Sequence, residues 1–177
     1  MGYTDLFSTE SATLGVNLKN ELLLILAIVV LMLDGALLQS QQLTIQTETG
    51  KQIALTRTEI EALPRIKVTT QAPDSSSYDG VALKTLLEKA GVEFGHSLRG
   101  KRMASCLLVE AADGYRVVIA LPEIDPDFND KQVMLAFSKN EKPLDAKEGP
   151  YRIVIPNEKR MARWVKQVTT LKIVDVP

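Results

Sequence analysis

Residues 22–33 form an unbroken apolar run, LLLILAIVVLML, with no polar face on which to build an ordinary surface helix. Twelve helical residues span ~18 Å, whereas a bilayer core is ~30 Å thick. The run is therefore short for a full crossing, and extending it to Leu38 places Asp34 inside the span. Lys19 precedes the run, and Gly35, Ala36 and Ser40 follow it. That order predicts a secretory signal peptide over residues 1–40, cleaved between Ala36 and Gln41. An uncleaved N-terminal membrane anchor and a buried core helix are the alternatives. No Cys follows Leu37-Leu38, so the segment carries no lipoprotein signal. The expected location is periplasmic or otherwise extracytoplasmic.

The remaining body, residues 41–177, has the length of one domain. Removing Lys19 from the 21 basic residues, and Asp5, Glu10, Glu21 and Asp34 from the 22 acidic ones, leaves 20 against 18, a net charge of +2. Nothing in that balance points to nucleic acid. One Cys rules out an internal disulfide and a multi-Cys metal site, and one His rules out a His cluster. Cys106, flanked by Leu107 and Leu108, reads as a small buried hydrophobe.

Alternating patterns predict strands at 43–47, 52–55, 66–70, 104–110, 115–119, 132–137, 151–155 and 165–174. Asp113-Gly114 reads as a hairpin turn. Helices are expected at 58–63, capped by Thr58, and at 81–90, with Val81, Leu83, Leu86 and Leu87 on one face and Gly91 ending it. A helical turn is expected at 121–124. Many short strands and few helices, without strict β-α alternation, predict an α+β fold with a mixed β-sheet.

Two constellations fail as catalytic or metal motifs, and a third, basic one stays open. Asp125-x-Asp127-x-Asn129 opens like a calcium loop, but Asp130 stands where Gly must turn and Ala136 where a carboxylate must close the shell. Ser75, Ser76 and Ser77 lack the setting of a nucleophile beside His96. Lys159, Arg160, Arg163 and Lys166 surround Trp164 as a basic cluster, whose guanidinium forks suit phosphoryl oxygens. The alternative for that cluster is a solvated basic surface.

Five segments, taken in order, resemble the oxidoreductase molybdopterin-binding domain of the sulfite-oxidase type, in a small, exported, stand-alone form. They are 78–92 (YDGVALKTLLEKAGV), 111–124 (AADGYRVVIALPEI), 133–137 with 141–144, 149–156 (GPYRIVIP) and 160–168 (RMARWVKQV). The resemblance implies a mixed sheet and a pterin-phosphate pocket, with Lys159, Arg160 and Arg163 in the pterin-contacting stretch. It also implies a molybdopterin-type cofactor or another anionic ligand, and a membrane redox or signalling partner. In catalytic members a Cys thiolate holds molybdenum on the segment corresponding to 68–74. Here that segment is VTTQAPD, with Gln71 about where the ligand falls. Amide oxygen is a poor substitute for a soft thiolate. The resemblance thus implies either a cofactor-binding domain with doubtful redox chemistry or a non-catalytic sensing or interaction module.

Overall fold

The computed structural model describes residues 21–23, 25–26, 42–71 and 75–175. The chain divides into two units, Met1–Ser40 and Gln41–Pro177. In the first unit, residues 21–23 and 25–26 are helical, and Leu22, Leu23, Ile25 and Leu26 are exposed. The rest of the apolar run and the expected cleavage region lie outside the described residues. Among the described residues, no helix is long and apolar enough to cross a membrane.

In the second unit, period-two burial builds two five-stranded sheets. The first has the order β2-β1-β10-β5-β6. Its strands are β1 (Leu43–Gln46), β2 (Gln52–Leu55), β5 (Cys106–Ala111), β6 (Arg116–Ala120) and β10 (Val168–Val174). β1 lies parallel to β10 and every other pairing is antiparallel, so this sheet is mixed. The second sheet is antiparallel, with β3 (Arg65–Thr69), β4 (Ser77–Ala82), β7 (Met134–Lys139) and β8 (Lys142–Pro143) in that order, and β9 (Arg152–Val154) also beside β7. Buried residues of both sheets, among them Ile45, Leu107 and Leu171 from one and Tyr78, Leu135 and Ile153 from the other, share one apolar core. The α+β expectation holds, with two sheets in place of one.

The helices are short. α1 (Arg57–Glu61) begins earlier than the Thr58-capped helix expected from sequence. Thr56 is the cap: its Oγ1 accepts from Glu59 N at 3.3 Å, and its own N–H donates to Glu59 Oε2 at 2.8 Å, closing a capping box. α2 (Leu83–Lys89) starts two residues after Val81, which belongs to β4 instead. Gly80 explains why that stretch is a strand: a Cβ there would stand 2.1 Å from Leu135 O, so β4 closes tightly on β7 only through glycine. α2 ends as expected at Gly91, φ +90°, with Gly91 N donating to Glu88 O and Val92 N to Leu87 O. α3 (Leu121–Ile124) matches the expected turn. The final strand begins at Val168, so Trp164 lies before it, at the end of a 3-10 turn over Met161–Arg163.

Candidate functional site

The three basic residues singled out by the sequence have different surroundings. Lys159 and Arg160 are exposed, and neither has an ion-pair partner among the described residues. Arg163 is clamped by two carboxylates. Its Nη1 and Nη2 reach Glu123 Oε1 and Oε2 at 3.3 and 3.1 Å, and its Nε donates to Glu158 Oε1 at 2.9 Å. Burial alone would raise the Glu123 carboxyl, but the Arg163 hydrogen bonds and charge hold it below the ordinary value. Arg163 therefore supplies no free cation where it stands.

A second cluster forms around β9. Arg152 is a charged residue inside an otherwise apolar strand, and it is only 3% exposed. Its Nη1 donates to Glu148 Oε1 at 2.7 Å and to the Tyr78 hydroxyl at 2.9 Å. The guanidinium carbon lies 5.3 Å from the Tyr78 ring centroid and 5.5 Å from that of Trp164. These two rings meet edge to face, 6.1 Å apart at 84°. Cation–π attraction compensates the buried charge in part. Two more cations converge on the same carboxylate oxygen, Lys166 Nζ at 3.4 Å and Lys139 Nζ at 3.9 Å. Arg152 Nε and Trp164 Nε1 are buried and lack an acceptor. Trp164 is core, not a surface stacking platform.

Lys139 comes from β7, whereas Glu148 and Arg152 stand four residues apart in the segment that leads into β9. The signal that could have found them is the Arg at the centre of YRIVI, since a buried charge demands a partner.

Clefts flank this cluster. One of about 330 Å³ is lined by Lys139, Asn140, Lys142, Asp145 and Glu148. Another, about 320 Å³, is lined by Asp113, Tyr115, Lys147, Trp164 and Lys166.

The remaining candidates have structural surroundings. Asp125 is fully buried and accepts from Gly95 N at 2.7 Å, Lys84 Nζ at 3.0 Å and Asp127 N at 3.2 Å. Burial pushes its pKa up, yet these donors override that and hold it below the ordinary value. It ties α2 to the loop after α3. His96 is exposed, and no hydrogen bond joins it to Ser75, Ser76 or Ser77 among the described residues.

The residues present do not fit a molybdenum centre. Gln71 is exposed after β3, and Ala72 to Asp74 lie outside the described residues. The chain's one sulfhydryl, Cys106, sits in β5 of the other sheet, opposite Ala120 and Val174. It is buried, and desolvation followed by the Asp175 charge pushes its pKa up, away from the thiolate a metal requires. Among the described residues, no group of three or more His, Cys, Asp or Glu side chains is placed to hold a metal.

The family model described as the oxidoreductase molybdopterin binding domain matches residues 34–177. The chain belongs to that family. The family's fold is shared with a solved structure, the sulfane dehydrogenase SoxCD from Paracoccus pantotrophus. That match has a TM-score of 0.60 and 24% identity, covering 77% of this chain and 39% of the other. The chain thus spans well under half the length of that neighbour. No curated protein matches it.

Proposed function

We propose that this chain is an extracytoplasmic member of the molybdopterin-binding domain family that works as a binding or sensing module without molybdenum redox chemistry. The observation that carries this reading is the position of Cys106. The only sulfur able to become a thiolate is locked between β6 and β10, on the sheet that does not contain the β3–β4 connection. Metal capture there would require uncovering a side chain that is only 8% exposed.

Export is supported by the exposed apolar side chains of Leu22, Leu23, Ile25 and Leu26, which favour an apolar environment. A membrane-bound redox or signalling protein is the partner class consistent with such a leader. A second reading rests on Lys159 and Arg160, which are exposed and unpaired among the described residues. They suit the phosphate of a molybdopterin-type cofactor or another phosphorylated ligand held by charge alone.

The test is elemental and pterin analysis of the full chain, made in a host that synthesises molybdopterin. Fewer than ~0.1 molybdenum atoms per chain are expected, because a hard amide oxygen replaces the soft ligand. About one molybdenum per chain with released pterin fluorescence would overturn the proposal.

A further inference from the structure

The register of the first sheet puts the start of β1 beside the β5–β6 turn. Thr44 pairs with Thr170 in parallel, Val168 faces Ala111, and Ala112 N donates to Gln167 O at 2.9 Å. The chain therefore enters the body at the end of the sheet that carries Asp113, Tyr115 and the segment before β10. The cleft of about 320 Å³ opens at this end, where Lys147, Lys166, Tyr115 and Met161 share its lining with a single carboxylate, Asp113. Lys147 is exposed and has no ion-pair partner among the described residues. Lys166 approaches Glu148 at 3.4 Å, yet its side chain is 51% exposed. Tyr115 is 49% exposed, and its hydroxyl donates to Ala162 O at 2.8 Å, which ties it to the 3-10 turn. Lys159 and Arg160, also exposed, immediately precede that turn.

We propose that this end of the body is a membrane-contact face for a bilayer containing anionic phospholipid. The proposal rests on the export reading above and adds what the body does beyond the leader. Ten residues join Leu33, the last of the apolar run, to Leu43, a reach of ~35 Å at most when fully extended. Lysine and arginine are drawn to the negative surface potential of anionic lipid, an attraction that fades within a Debye length, ~8 Å at physiological ionic strength. An exposed tyrosine in a lysine-lined cleft has the amphipathic ring that sits at headgroup level. The opposite end of the same sheet serves as a reference. Lys51, in the turn after β1, and Lys101, before β5, are exposed there.

The test reconstitutes the full chain into vesicles of phosphatidylcholine alone and into vesicles of phosphatidylcholine mixed with phosphatidylglycerol. An amine-acylating reagent then modifies the lysines, and mass spectrometry quantifies each site. Modification of Lys147 and Lys166, relative to Lys51 and Lys101, is expected to fall about threefold or more in the mixed vesicles, because anionic headgroups cover the first pair. High salt should restore it, since the attraction is screened. The same ratio in both vesicle types overturns the inference. If that ratio is high, lipid does not reach the face; if it is low, a second copy of the chain covers it instead. Protection that survives high salt overturns the inference as well. Flotation with the phosphatidylcholine vesicles reports the leader alone. A chain that floats with neither vesicle overturns the export reading and this face together, whereas a chain that floats with both and shows unaltered labelling overturns the face alone.

Discussion

Arg163 and Glu148 flank Trp164 from opposite sides of a charge balance. At Arg163 one guanidinium is held by two carboxylates, Glu123 and Glu158. At Glu148 one carboxylate oxygen is approached by three cations, Arg152, Lys166 and Lys139. Along the chain, residues 159–166 are the basic stretch and residues 145–152 look mixed. In space the roles are reversed, because α3 brings Glu123 to Arg163 while β7 and β9 bring Lys139 and Arg152 to Glu148.

Removing Arg152 should break this contrast most severely. Arg152→Ala strands Glu148 and empties the space against Tyr78 and Trp164, and losing one partner of a buried pair costs ~3–5 kcal/mol. Urea denaturation measures it, and a loss under ~1 kcal/mol would mean the cluster is not an energetic centre. Acid should act next. The folded-state pKa values of Glu123 and Asp125 are lowered, so their contribution is fully present above the ordinary carboxylate values and is lost as pH falls through the folded ones. Stability should therefore decline below about pH 4, and Asp125→Asn should flatten that decline. An unchanged acid limb in the variant would remove Asp125 from the account. The smallest effect belongs to Arg163→Ala, about 1 kcal/mol for a partly exposed pair. It should leave phosphate affinity unaltered, whereas a clear loss of affinity would restore Arg163 to the binding surface.

Local physics made much of the fold legible. β2 at 52–55, the turn at Asp113-Gly114, the helical turn at 121–124 and the Gly91 stop all rest on alternation or turn chemistry within a few residues. Val81 was harder, because β4 runs into α2 without a loop and its apolar spacing fits either period. The division into two sheets was not legible, since β1 pairs with β10 from the far end of the chain. The Glu148 cluster was hidden for the same reason: its members meet only after β7, β9 and the segment before β10 are in place. Arg163 was visible as a cation, but Glu123, forty residues upstream, was not visible as its partner.

Cys106 has a consequence beyond metal chemistry. Because only 8% of Cys106 is exposed, alkylating reagents reach this thiol readily only when the residues packed over it move aside. The rate of its modification is thus an internal clock for that opening. The same low exposure hinders a disulfide between two copies of the chain.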